Sequence, residues 1–140
     1  MGTRMAKPAL DVGLVTANAS PLLDFYCEVA GFDRLDPIEI PNIGTIHRLG
    51  CGESILRVMV PTAPPEPPLS GDNAESFSAR VGIRYLTLEV LDIAAAVEAA
   101  RACSGRIDLE PFELRPGRRI AQISDPDGNR IELVQDSQAT

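Results

Sequence analysis

The sequence predicts an α+β fold of two tandem βαβββ units whose curved mixed sheets enclose a cavity. Three observations carry this. The order β-α-β-β-β, told from alternating and helical apolar patterns, occurs twice along the chain. A proline-rich stretch separates the two copies. Matched positions are almost equally spaced in both, with 46 residues from Asp11 to Arg57 and 47 from Tyr85 to Glu132. A helix on one face of each sheet leaves the other face free to curl around a cavity.

In chain order, residues 1–8 are a loose start. Leu10 to Thr16 alternates as a strand. Ser20 is expected to cap a helix with Pro21 at its first position. Leu22, Leu23, Phe25, Tyr26, Val29 and Ala30 make its buried stripe, and Gly31 ends it in a left-handed cap. Phe32 to Ile40 is a second strand, broken at Pro41-Asn42. Thr45 to Leu49 and Ser54 to Val60 form a hairpin around Gly50-Cys51-Gly52. These elements make a first unit over 8–60. Residues 61–80 are a linker, stiff over Pro61 to Pro68 and flexible over Ser70 to Ser76. The second unit, 81–136, repeats the order. Ile83 to Val90 is a strand. Asp92 caps a helix to about Cys103 with Ile93, Ala96, Val97 and Ala100 buried, and Gly105 closes it. Asp108 to Glu113 is a strand, and Arg118 to Ser124 pairs with Asn129 to Val134. The repeat lays Ile46-His47-Arg48-Leu49 over Ala121-Gln122-Ile123-Ser124.

The last hairpin is the most sharply patterned stretch. Pro126 fixes φ at the second position of its turn, Asp125 can bond its own backbone, and Gly128 supplies the φ > 0 that the return requires. Beyond the turn, Arg130, Glu132 and Val134 point one way and Ile131 and Leu133 the other. Glu132 is therefore a carboxylate among residues that want burial, which is costly unless a cation or donors meet it.

Composition narrows the functions. The chain has 140 residues, 44% hydrophobic, enough for a packed core. A net charge of −7 without a basic run argues against nucleic acid. No apolar run of about 18 residues exists to span a membrane, and Met1 to Met5 lacks an apolar signal region. Cys27, Cys51 and Cys103 are odd in number and without metal-type spacing, which fits a reduced, cytoplasmic setting with all three as small buried hydrophobes. Arg115, Arg118 and Arg119 form a small basic loop, either a solvated hairpin end or a receiver for an anionic substrate.

Asp125-Pro126-Asp127-Gly128-Asn129-Arg130-Ile131-Glu132-Leu133, and Phe25-Tyr26-Cys27-Glu28-Val29-Ala30-Gly31-Phe32 before it, resemble the vicinal oxygen chelate superfamily, which includes glyoxalases, bleomycin-resistance proteins and extradiol dioxygenases. The likeness covers about residues 8–136. It implies a paired βαβββ fold, frequent homodimers, and in metal-bearing members four ligands, usually two histidines and two Glu or Gln residues. The matching positions here are Asp11, Arg57, Tyr85 and Glu132, and only Glu132 is of the expected type. A guanidinium has no lone pair for a metal and repels a divalent cation. Arg57 is therefore expected to replace the ion, as a cation between Asp11 and Glu132, with Tyr85 donating to the same network. The alternative is a divalent metal on Glu132 and Asp11, with Glu53 or His47 approaching if the register is shifted. His47 is either a partly exposed strand residue or a cavity acid/base.

Three functions follow. The first is a small-molecule binder without metal or other cofactor, its cavity lined by Asp11, Arg57, Tyr85, Glu132 and His47 with apolar Val15, Ile55 and Met59. The second is a divalent-metal-dependent lyase, isomerase or dioxygenase. The third is a metal-independent enzyme in which Arg57 stabilises an oxyanion and Glu132 or Asp11 moves the proton.

Overall fold

A computed structural model describes residues 2–68 and 77–137. Its elements are β1 (Val12–Val15), α1 (Ala19–Ala30), β2 (Asp33–Ile40), β3 (Gly44–Cys51), β4 (Ser54–Pro61), β5 (Leu86–Glu89), α2 (Ile93–Ala102), β6 (Arg106–Arg115), β7 (Arg118–Ser124) and β8 (Arg130–Asp136). They form two four-stranded sheets of order β1-β4-β3-β2 and β5-β8-β7-β6. In each, the first strand runs parallel to the last and the remaining pairs are antiparallel. This is the predicted pair of βαβββ units. The sheets do not close around an enclosed cavity; their helix-free faces remain open and carry clefts.

The two helices share one core. From α1 it takes Leu22, Phe25 and Tyr26, and from α2 Ile93, Ala96, Val97 and Ala100. Leu49, Leu56 and Val58 complete it from the first sheet, and Ala121, Ile123, Ile131 and Leu133 from the second. Burial of these side chains is the main favourable term holding the units together. At the centre the Tyr26 hydroxyl donates to Asp125 Oδ2 at 2.7 Å, joining α1 to the turn between β7 and β8. That turn is built as its sequence suggests. Asp125 Oδ1 accepts from the Asp127 and Asn129 N–H groups at 3.0 and 2.9 Å, and Gly128 sits at φ 92°.

Several local expectations change. β1 and β5 each have four residues, shorter than their alternating patterns, because their ladders to β4 and β8 extend no further. The cap of α1 is Asn18, not Ser20, and Pro21 lies in the third helical position. A missing N–H costs nothing anywhere in the first turn, so Pro21 does not mark the start uniquely. Gly31 caps the end at φ 70° as expected, and Asp92 caps α2 by accepting the Ala95 N–H at 3.1 Å. Gly105 is needed for space instead of for a left-handed turn. A Cβ there would lie 2.5 Å from Phe25 Cε2 and 2.9 Å from the carbonyl oxygens of Ala100 and Ser124. Ser104 takes the positive φ, 64°. Cys51 is exposed at a hairpin end instead of buried, while Cys27 and Cys103 are half-buried; all three are free. The expected flexible part of the linker, Ser70 to Ser76, lies outside the described residues. Among the described residues no helix is long and apolar enough to cross a membrane.

Candidate functional site

The open face of the first sheet carries Asp11, just before β1, with Arg57 and Ile55 of β4. Gly13 pairs with Arg57, so Asp11, two residues earlier, shares the arginine's face. Arg57 Nη1 donates to Asp11 Oδ2 at 2.8 Å, Lys7 Nζ to Oδ1 at 2.8 Å, and the Ile55 N–H to Oδ1 at 2.9 Å. These donors, Lys7 first, then Arg57, then Ile55, hold the Asp11 carboxyl well below the ordinary carboxylate range. Arg48 lies directly across from Arg57 and is held by the Asp36 carbonyl at 2.9 Å.

The corresponding face of the second sheet carries Tyr85, Thr87, Gln122, Arg130 and Glu132. Thr87 pairs with Glu132 and Leu86 with Ile131, as Gly13 pairs with Arg57 and Val12 with Leu56. The sequence match of Asp11 to Tyr85 and of Arg57 to Glu132 is therefore the structural one. The Thr87 hydroxyl donates to Glu132 Oε1 at 3.3 Å. Tyr85, 43% exposed, sets its ring edge-on to Phe77 at 5.3 Å.

The four matched positions are thus only partly brought together. Asp11 and Tyr85 line one cleft of about 290 Å³ between the first strands of the units, together with Val12, Leu14, Arg84 and Arg130. Arg57 meets Asp11 but not Glu132. Among the described residues no ion pair joins Arg57 to Glu132, and no hydrogen bond ties the Tyr85 hydroxyl to either. His47 lies elsewhere. It pairs with Val58, whose side chain is wholly buried in the core, so it faces the helix side. Gln122 pairs with Glu132 and Arg48 with Arg57, so Arg48, not His47, is the counterpart of Gln122. A one-residue slip in matching the hairpins exchanges the faces, because side chains on a strand alternate. Glu53 is in the hairpin turn, and the ladder between β1 and β4 leaves Arg57 in place. Arg118 is tied to Asp136 at 3.3 Å as part of its hairpin.

These residues do not fit a divalent cation. Arg57 offers no lone pair, and the oxygens of Asp11 already accept from Lys7, Arg57 and Ile55. Glu132 then stands as a single carboxylate, bonded by the Thr87 hydroxyl. Among the described residues no group of three or more His, Cys, Asp or Glu is placed to hold a metal.

One residue missed in the sequence is Arg130, 7% exposed. Its Nη1 donates to Gln122 Oε1 and its Nε lies 3.4 Å from Asp108 Oδ2, but among the described residues Nε and Nη2 are buried without a hydrogen-bond partner. The Phe77 ring covers the guanidinium at 5.5 Å. Asp108 is shared further, accepting from Arg106 Nε at 2.7 Å and from Ser124 Oγ at 2.6 Å. The alternation that drew attention to Glu132 also places Arg130 on its face, but the cover that Phe77, from the stretch before β5, lays over it is not visible in the pattern.

The family model described as Glyoxalase/Bleomycin resistance protein/Dioxygenase superfamily matches residues 10–133. A probable lactoylglutathione lyase from Synechocystis sp. is 26% identical over 117 residues, covering 82% of this chain and 85% of that protein. A lactoylglutathione lyase from Arabidopsis thaliana is 28% identical over 115 residues, 81% of this chain but 38% of that protein. Among solved structures, a glyoxalase family protein from Bacillus cereus superposes with a TM-score of 0.77 at 16% identity, covering 95% of this chain and 99% of that one. Glyoxalase I from Zea mays gives 0.72 at 20% identity, covering 91% of this chain and 44% of that one. At such identities these superpositions speak for the fold alone.

Proposed function

The chain belongs to the glyoxalase/bleomycin resistance protein/dioxygenase superfamily, and we propose that it binds a small organic molecule against the open faces of its sheets, with Arg57 as the fixed cation where metal-bearing members hold an ion. The observation that carries this is the Arg57–Asp11 ion pair of 2.8 Å, with Asp11 held ionised by three donors. The pair supplies a polar anchor at the edge of an apolar cleft, the composition a ligand site needs. Binding is proposed to engage Asp11, Arg57, Tyr85 and Glu132, and to leave His47 out. A homodimer goes with this proposal. Val15, Leu35, Ile38, Leu109 and Phe112 are exposed on the open sheet faces, and a second copy would cover them and complete a cavity. The free cysteines suit a cytoplasmic setting.

A catalytic reading is favoured by the lactoylglutathione lyase names of the sequence relatives. It takes either a divalent metal or, without one, Arg57 as oxyanion stabiliser and Glu132 as proton carrier. Elemental analysis of protein purified without chelators separates these. Substoichiometric metal is expected, and about one equivalent per chain would overturn the assignment of Arg57 as the cation. Turnover of a hemithioacetal that is lost in Glu132→Gln would replace binding by catalysis. Light scattering tests the dimer, for which a monomer at micromolar concentration is the contrary result.

A further inference from the structure

We propose that Arg130, with Arg84 beside it, anchors an oxyanion — a carboxylate or phosphate group of the small molecule that enters the seam between the two units. This rests on the small-molecule reading above, but on different residues. Arg130 is a buried guanidinium whose available partners are exhausted. Gln122 takes Nη1, and Asp108 is already divided among Arg106, Ser124 and Arg130 Nε. Among the described residues Nη2 and Nε are buried without a hydrogen-bond acceptor, the 3.4 Å approach of Nε to Asp108 being an ion-pair contact only. Leaving a charged donor unsatisfied away from water is costly, and an oxyanion removes that cost while forming the planar, two-point contact that suits a guanidinium.

The surroundings agree. In a chain of net charge −7, the charge of Arg130 is disfavoured first by its burial and then by nearby Arg106 and Arg84, with Asp108 opposing them. Arg84 and Arg130 line two adjoining clefts. The smaller, about 130 Å³, is bounded by Phe77, Asp127 and Asn129 and has room for an oxyanion. The larger is the apolar seam along Val12, Leu14, Tyr85 and Leu86, with room for a ligand body. The division suits an amphiphilic organic acid or phosphate ester.

The probes are inorganic phosphate and succinate, titrated separately into the full chain at ionic strength matched with sodium chloride. Thermal melting and the ¹⁵N-detected Arg130 Nε–H resonance are followed. At least one probe is expected to raise the melting temperature saturably and to shift that resonance, and the tighter probe identifies the oxyanion class. Arg130→Met should weaken binding roughly tenfold or more, the loss of charged hydrogen bonds. Methionine fills the site without a charge, and Asp108 keeps Arg106 and Ser124, so the fold should survive. If that variant does not fold, Arg84→Met and the wild-type resonance give the answer. Arg34→Met, at an exposed arginine that pairs with Asp24 and lines neither cleft, should bind the probes as wild type does. No effect beyond chloride, no shift of the Arg130 resonance, or equal binding by Arg130→Met would each overturn the anchor. Binding lost in Arg57→Met but kept in Arg130→Met would also overturn it, while leaving the Arg57 site standing.

Discussion

Tyr26→Phe isolates one polar contact between the two units. The substitution removes one oxygen and keeps the ring, including its edge contact with Phe25 at 5.1 Å between centroids. What is lost is the 2.7 Å hydrogen bond to Asp125 Oδ2, which keeps the Asn129 amide at 2.9 Å as its remaining donor. Asp125 is 3% exposed, so water does not replace the hydroxyl. A hydrogen bond to a charged group is worth about 1.5–3 kcal/mol. With an unfolding entropy of about 2.1 cal/mol/K per residue, a 140-residue chain loses roughly 5–10 °C in Tm. The pH dependence sharpens the test. Burial raises the Asp125 pKa, and the bonds from Asn129 and Tyr26 work against that rise. A folded pKa above the unfolded one means that the native state binds more protons, so this group's contribution to stability falls as pH rises between the two values. Tyr26→Phe raises the folded pKa further. Its deficit should therefore be largest where Asp125 is ionised and should narrow as pH falls and the carboxyl protonates. Differential scanning calorimetry at a series of pH values checks both parts. A loss under about 2 °C at neutral pH, or a deficit that grows on acidification, would refute the reasoning.

Other consequences are local. Asp11, with its folded pKa lowered from 3.8 mainly by Lys7 and then by Arg57, contributes stability above its unfolded pKa and loses it as pH falls through the folded value. In Arg57→Met its carboxyl titration, followed by NMR, should move up toward 3.8 without reaching it, because Lys7 remains; an unmoved midpoint would mean that the pair is not formed in solution. Gly105→Ala pushes a methyl group against Phe25 and two carbonyl oxygens and should cost about 1–3 kcal/mol in urea unfolding; an unchanged midpoint would contradict that packing. Asp92→Ala should cost about 0.5–2 kcal/mol by loss of its cap bond, whereas Asn18→Ala, which removes no such bond, should cost less. Equal losses would remove the distinction between the two caps.

Much of this was legible along the chain. Two helical stripes of period 3.6, the Asp125 to Gly128 turn and the near-equal spacings placed both units. They also matched Asp11 with Tyr85 and Arg57 with Glu132 in the register that the ladders adopt. Where the reading slipped, the signal was one residue wide. The hairpin of the first unit gave no cue to choose between His47 and Arg48 as the counterpart of Gln122, and on a strand that choice decides the face. The start of α1 slipped because several positions in a first turn tolerate proline.

The sequence by itself determined the repeated fold and its two hairpins, because these follow from period and turn chemistry, while the oddity of Arg57 came from the family resemblance, which implies Glu or Gln there. Only the tertiary structure decided which charges meet. Among the described residues it paired Arg57 with Asp11 and not with Glu132, left Glu132 with Thr87, and laid Phe77 over a buried Arg130 whose Nε and Nη2 lack hydrogen-bond partners. Those outcomes depend on how two units pack and on where the segment before β5 lies. Such distances run through space between residues far apart in the chain, and a one-dimensional pattern does not encode them.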